Sequence, residues 1–226
     1  MEIEMKYALP SKEIADSIWE DEYLAEISDS NSTESVVMKA IYFDTPDLLL
    51  SKNNIAVRAR TEGDRNFATL KANGTYNEGM FTRDEVNVPI TDDSSFMELD
   101  PKLFSGSEAG DALIKLVGTN PLQNLLEMRF LRRRKRIAYA SSIMELAIDI
   151  GTIITDKGEK PIQEMEIELF AGSQEAIRAL GDEIAKKYDL KVKTTLKSLS
   201  FNVNPIPNIT TPNIGVTVEV PEVNST

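Results

Sequence analysis

The sequence contains no cysteine and no histidine. The first absence excludes a disulfide scaffold, a thiolate zinc site and a thiol nucleophile. The second excludes a Ser-His-Asp triad, a histidine metal cluster and an imidazole general base. No apolar run approaches the ~18–20 residues that span a bilayer, and the N-terminus MEIEMKYALP lacks the basic-then-apolar order of an export signal. Basic residues are in the minority as well. The 25 Lys and Arg against 37 Asp and Glu leave a net charge of −12, which argues against a nucleic-acid binder that needs a basic face. Chemistry is left to carboxylates, lysines, arginines, hydroxyls or a metal held by oxygen.

No internal repeat is present at any fixed period. Residues 1–8 read as a strand that ends at Pro10-Ser11, and Ser11 is placed to cap a short amphipathic helix carrying Ile14, Ile18 and Trp19. An acidic helical stretch continues to about Ile27. The β-branched and aromatic run Val36–Phe43 closes on Asp44-Thr45-Pro46-Asp47, a turn signal in which Asp44 can bond the backbone ahead of it. Further strands are expected at 54–61, 66–72, 80–89, 125–140, 143–150 and 162–170, with a hairpin turn at Asp156-Lys157-Gly158. Helices are expected over 100–117, with a break before Ser107, and over 173–188, where Ile177, Leu180, Ile184 and Tyr188 share a face. From about Val203 the chain turns rich in proline, asparagine and threonine and loses lysine and arginine, which reads as a tail or arm over 203–226.

The strands carry charge on one face. Residues two apart on a strand point the same way, so Glu2, Glu4 and Lys6 oppose Ile3, Met5 and Tyr7. Arg58 and Arg60 share a face, as do Arg83, Glu85 and Asn87, and Thr69 and Lys71. Glu145 and Asp149 oppose Leu146, Ile148 and Ile150, while Glu164, Glu166 and Glu168 oppose Met165, Ile167 and Leu169. Every residue from Arg132 to Arg136 is basic, and Arg132, Arg134 and Arg136 are assigned to the charged face. Stacked glutamates repel each other and call for something positive between them. Adding Lys197, the set holds nine bases and eight acids, so the acidic excess of the chain lies elsewhere. Charges of both signs on successive strands suit a shared lumen: a closed antiparallel barrel, apolar outside, with the helices packed on its exterior.

Clustered cations around one cavity match a polyanion, and arginine forks match phosphate oxygens. Clustered carboxylates without histidine or cysteine select a hard cation, Mg²⁺ or Mn²⁺. Together they describe a metal–polyphosphate site. So many charges held as a purely structural network would carry a heavy desolvation cost.

The motif Glu2-Ile3-Glu4-Met5-Lys6 resembles the ExExK signature of the CYTH superfamily, the triphosphate tunnel metalloenzymes, which include inorganic triphosphatases, thiamine triphosphatases and class IV adenylyl cyclases. The family's other marks follow in order: Tyr42-Phe43-Asp44-Thr45-Pro46, Val57-Arg58-Ala59-Arg60, Thr69-Leu70-Lys71, Arg83-Asp84-Glu85, the basic strand 132–136, Leu146-Ala147-Ile148-Asp149, Glu166-Ile167-Glu168-Leu169 and Lys197-Ser198. The resemblance covers residues 1–202. It implies an α+β fold, a closed eight-stranded antiparallel β-barrel or tunnel with a charged interior and helices outside. It also implies binding of a linear triphosphate with Mg²⁺ or Mn²⁺. By motif, Lys6, Arg58, Arg60, Lys71, Arg83, Arg132, Arg134, Arg136 and Lys197 contact phosphates, and Glu2, Glu4, Glu85, Asp149, Glu166 and Glu168 hold metal. Asn87 stands where many members carry a second acid.

The reaction expected first is metal-dependent hydrolysis of a phosphoanhydride in inorganic tripolyphosphate, with Glu4 or Glu168 orienting the attacking water and Lys6 beside them. A class IV adenylyl cyclase, a thiamine triphosphatase and a non-catalytic polyphosphate- or nucleotide-binding module are the alternatives. The partner implied is a small-molecule triphosphate, with neither nucleic acid nor membrane. A homodimer is compatible by analogy, and the cytoplasm is the compartment expected.

Overall fold

The computed structural model describes residues 1–91, 96 and 98–193. Lys197 and the tail 203–226 lie outside the described residues. The alternating segments close into a ring. Strands β1 (Glu2–Ala8), β2 (Glu34–Asp44), β3 (Ala56–Glu62), β4 (Arg65–Asn77), β5 (Met80–Pro89), β6 (Gln123–Tyr139), β7 (Ser142–Thr155) and β8 (Gly158–Ala171) run in the order β5-β4-β3-β2-β6-β7-β8-β1, and β1 pairs back onto β5. Every pairing is antiparallel, so the sheet is a closed eight-stranded barrel whose ring has no free edge. A short β9 (Lys191–Val192) pairs with Tyr7 and Ala8, beyond the point where β5 leaves β1.

Outward residues of the strands are covered by helices. Ser11 caps α1 (Lys12–Trp19) by accepting from the Ile14 N–H at 3.3 Å, and α2 (Glu22–Glu26) follows, capped by Asp21. The later helix α5 (Gln174–Tyr188), capped by Ser173, buries Ala176, Ile177, Leu180 and Ile184 in one cluster with Met5, Tyr7, Ile148 and Ile167. Each buried aliphatic side chain there contributes about 1.5–3 kcal/mol. Gly181 lets α5 approach β1 closely, because a Cβ at that position would fall 2.3 Å from the Tyr7 hydroxyl. On the other side, α4 (Glu108–Val117) follows a 3₁₀ turn at Pro101–Phe104 and packs Leu113 and Val117 against Ile41, Val57, Ala59 and Leu70.

The Asp44 turn is structural. Its carboxylate accepts from the backbone N–H groups of Thr45, Leu50 and Ser51 at 2.7, 2.8 and 2.9 Å, and from the Ser51 hydroxyl at 2.6 Å. It thereby anchors the one-turn helix α3 (Leu49–Lys52) to the end of β2.

The lumen itself is divided. Toward the end where β1 starts and β8 finishes, inward positions are charged. Toward the other end, Met38, Ala40, Leu126, Met128, Phe130, Ile153 and Ile162 form a buried apolar cluster on the same inward faces of β2, β6, β7 and β8. Gly151 stands opposite Phe130, and a Cβ there would lie 2.5 Å from the Phe130 Cβ, so glycine is what lets the two strands close at this level. The charged interior is therefore one half of the barrel, resting on an apolar floor.

Candidate functional site

The charged half encloses a cavity of about 240 Å³. Its basic lining comes from Lys6 on β1, Arg58 and Arg60 on β3, Lys71 on β4, Arg83 on β5, and Arg132 and Arg134 on β6. Tyr42 and Phe130 lie under the two inner arginines. Arg58 donates to the Tyr42 hydroxyl at 3.0 Å with its guanidinium 5.8 Å from that ring, and the Arg132 guanidinium stands 5.8 Å from the Phe130 ring. The Nε atoms of Arg58 and Arg60 are buried with no hydrogen-bond partner among the described residues. Burial, with repulsion from Arg58, pushes Arg60 down to about 10.

Most of the acids are engaged by these bases. Glu2 accepts from Lys71 at 2.7 Å and from Arg83 Nε at 2.7 Å. Glu166 pairs with Lys6 at 2.7 Å and with Arg132 at 2.5 Å, and Arg132 also grips Asp149 through two 2.7 Å bonds. Burial opposes ionisation of Glu166, yet Lys6 and Arg132 together hold it well below the ordinary carboxylate range. Glu85 pairs with Lys71 at 2.6 Å and accepts from the Asn87 amide at 2.6 Å, while Asn87 in turn accepts from Thr69 at 2.7 Å. Glu4 pairs with Lys6 at 3.1 Å and with Arg83.

Two carboxylates differ. Glu145 and Glu168 face each other directly across β7 and β8, line the cavity, and make no hydrogen bond or ion pair among the described residues. Burial and then the charge of Glu2 push Glu168 up to about 7, with Lys71 offsetting part of the shift. Burial also raises Glu145, against the pull of Arg134 and Arg132. Like charges opposite one another on adjacent strands destabilise a sheet. Among the described residues, neither carboxylate of this pair is in direct contact with a cation, although Lys71, Arg132 and Arg134 act on them from farther away.

The residues singled out in the sequence are distributed as follows. Glu2, Lys6, Arg58, Arg60, Lys71, Arg83, Glu85, Arg132, Arg134, Glu166 and Glu168 share the cavity wall. Glu4 (3% exposed) and Asp149 (0%) sit behind that wall and connect to it through Arg83, Lys6 and Arg132. Arg136 lies farther out, in a second cavity at the mouth that also takes in Ser32, Glu34, Arg65 and Arg134. The register of the basic run is resolved by its neighbours. Arg133 reaches outward to Asp16 at 2.7 Å and lies 5.2 Å from the Trp19 ring, and Lys135 donates to the Trp19 carbonyl at 3.2 Å. Trp19 is therefore engaged outside the barrel. Tyr42, read only as part of the Tyr42–Pro46 motif, lines the cavity, as do Glu62 and Phe170, which were not singled out. Glu62, two residues beyond Arg60 on the same face, continued a pattern already visible, and it pairs with Arg134 at 2.8 Å.

A divalent cation fits this donor set. The candidate ligands are all carboxylate oxygens, the hard type that Mg²⁺ and Mn²⁺ take, and Glu145 and Glu168 make no hydrogen bond or ion pair among the described residues. Oxygens of Asp149, Glu164 and Glu166 also lie within 4.8 Å of one another, deeper in the barrel. Geometry adds a further point. β3 and β8 are four strands apart by either route around the ring, so Arg58 and Arg60 face Glu166 and Glu168 across the lumen.

The sequence profile of the CYTH domain family matches residues 1–200. An inorganic triphosphatase from Haemophilus influenzae is 28% identical over 172 residues, covering 76% of this chain and 46% of that protein. The chain thus spans just under half the length of this curated relative. Among solved structures, a Hippeastrum protein first assigned as an adenylyl cyclase, and described as having a dominant triphosphatase activity, aligns at a TM-score of 0.58 and 18% identity. That alignment covers 87% of this chain and 93% of the other. A Bacillus halodurans protein assigned as an adenylate cyclase aligns at 0.57 and 22% identity, over 88% of this chain and 95% of the other. At these identities the structural likeness speaks for the fold.

Proposed function

Because this chain belongs to the CYTH domain family, we propose that it hydrolyses a phosphoanhydride bond of a linear triphosphate bound in the barrel, with inorganic tripolyphosphate as the simplest substrate. The observation that carries this reading is a pair of incompletely satisfied groups, basic and acidic, on opposite walls. Among the described residues, Arg58 and Arg60 on β3 keep buried Nε donors without hydrogen-bond partners, and Glu145 and Glu168 on β7 and β8 make no hydrogen bond or ion pair. A polyanion together with a divalent cation satisfies both walls at once. A polyanion alone would leave the carboxylates repelling it.

In this reading Arg58, Arg60, Lys71, Arg132 and Arg134 bind phosphate oxygens, and their fixed positions stabilise charge that builds on the leaving phosphates. Glu2, Glu4, Glu85, Asp149, Glu166 and Glu168 are the oxygens from which Mg²⁺ or Mn²⁺ would take its ligands. The bound cation would supply Lewis-acid stabilisation at phosphoryl oxygens. Glu168 orients the attacking water, with Glu4 directly across from it in the β1–β8 register. As the water oxygen bonds to the terminal phosphorus, the bridging P–O bond breaks. Pyrophosphate and phosphate leave, and the water proton passes to the Glu168 carboxylate. A group titrating near 7 suits that transfer at neutral pH.

The test is release of phosphate and pyrophosphate from tripolyphosphate, ATP and thiamine triphosphate, each with Mg²⁺, Mn²⁺ or chelator. Metal-dependent release that is fastest on tripolyphosphate is the expected result. Metal-dependent binding with no release from any of them would replace hydrolysis with a binding module, and cyclic AMP plus pyrophosphate from ATP would replace it with a cyclase.

A further inference from the structure

We propose that Phe170 sets specificity at the mouth of the barrel by stacking the planar base of a nucleoside triphosphate whose phosphates occupy the charged lumen. This rests on the triphosphate reading above and deepens it.

Phe170 is where the β7–β8 register breaks. Leu169 pairs with Met144 and Ala171 with Ile143, so Phe170 is the extra residue of a bulge. Phe170 continues the inward face of Glu166 and Glu168 at the rim, where the bulge ends the regular pairing. Here the side chain stands 48% exposed and lines both the charged cavity and the outer cavity at the mouth. The other strongly exposed apolar residues among those described are Met1, Tyr23, Val37, Tyr76 and Ile143, and none of them lines either cavity.

The ring also has a planar cation beside it. The Arg136 guanidinium lies 6.0 Å from the Phe170 centroid and lines the outer cavity with it. An aromatic ring next to an arginine plane is the pair of surfaces on which nucleic-acid bases stack, and it tolerates any base because each presents a π face. Depth agrees with this placement. From Glu166, which meets Lys6 and Arg132 at the inner phosphate-binding level, to Phe170 is four residues of strand, or roughly 13 Å along β8. That leaves room beyond three linked phosphates for a substituent on the outer one. Inorganic tripolyphosphate has no apolar surface and gains nothing from a phenyl ring. A nucleoside triphosphate does.

The experiment measures dissociation constants of ATP and tripolyphosphate by titration calorimetry with Mg²⁺, for the wild type and for Phe170→Ala, Phe170→Trp and Arg136→Ala. Turnover is followed separately. The expected result is a loss of ATP affinity relative to tripolyphosphate of roughly tenfold in Phe170→Ala. Phe170→Trp should keep or improve the wild-type ratio, and Arg136→Ala should lower it by a smaller factor. Equal losses on both ligands, no change in the ratio, or a wild type that binds tripolyphosphate but not ATP would each overturn the proposal. If no triphosphate is turned over while the ATP contrast persists, the hydrolytic reading falls and the stacking site stands.

Discussion

One face of β6 shows the contrast on which this molecule is built. Its inward residues run Leu126, Met128, Phe130 and then Arg132, Arg134, Arg136, so a single strand changes from apolar to cationic halfway along the barrel. The apolar half is a packed core that happens to lie inside a ring of strands. It favours folding in proportion to the area it removes from water. The charged half does the reverse. Each ion taken out of water carries several kcal/mol of desolvation, which ion pairing offsets only where geometry is good, and Glu145 and Glu168 make no direct ion pair among the described residues. The two halves therefore divide the labour: one holds the barrel closed, and the other trades stability for ligand chemistry.

The largest effect expected on either half is on stability at the floor. Phe130→Ala should destabilise the fold by about 3–5 kcal/mol in urea unfolding, because it opens a cavity beneath Arg132. A loss under 1 kcal/mol would mean that the apolar half is not what closes the barrel. Glu168→Gln should do the opposite to stability while removing function. Turnover of tripolyphosphate should fall about 100- to 1000-fold, as when one preorganised electrostatic group is deleted.

The sign of the Glu168→Gln stability effect follows from its titration. The folded-state value of about 7 lies above the ordinary 4.5, so the folded protein holds this proton more tightly than the unfolded chain. The resulting penalty is absent below pH 4.5, grows as pH rises to about 7, and is constant above. At pH 8 and without metal, Glu168→Gln should therefore be more stable than the wild type by up to about 3 kcal/mol, read from the urea midpoint. A less stable variant would place Glu168 in the structural half.

A smaller effect is expected from Arg58→Met. Tripolyphosphate binding should weaken about 10- to 100-fold, with the thermal midpoint unchanged or raised, since the one hydrogen bond its side chain makes among the described residues is to Tyr42. Smallest of all is the pH dependence of Mg²⁺ affinity measured by titration. It should rise up to about tenfold per unit below pH 7 and flatten above it, as Glu168 must lose its proton to offer a charged ligand. Glu168→Gln should flatten that profile.

Much of this division was legible beforehand, and the exceptions have physical reasons. The pattern of residues two apart placed the charged sets on common faces, and Ser11, Ser107 and Ser173 marked the helix starts that they cap. Strand ends were harder to read. β4 runs on to Asn77 and β7 to Thr155, past Gly74 and Gly151, which in isolation read as interruptions. Gly151 is in fact required by its close approach to Phe130. The apolar floor was hidden for another reason. Glu127 and Arg129 alternate with Leu126, Met128 and Phe130, and the apolar set shares its parity with Arg132, Arg134 and Arg136; charge changes face along the strand, so the rule that charged residues point inward misreads this stretch. Phe170 shares the parity of Glu164, Glu166 and Glu168, so period-two spacing places it on their face, but charge was the marker followed there, and an apolar residue carries none.

The central claim is that the charged half is a ligand site and not a structural network. The most direct measurement is scanning calorimetry of the full chain alone, with tripolyphosphate, with Mg²⁺, and with both. The expected result is a rise in Tm that is largest with both ligands together, because each compensates the opposite wall and stabilises the fold by mass action. A Tm unmoved by saturating tripolyphosphate and Mg²⁺ would contradict the claim.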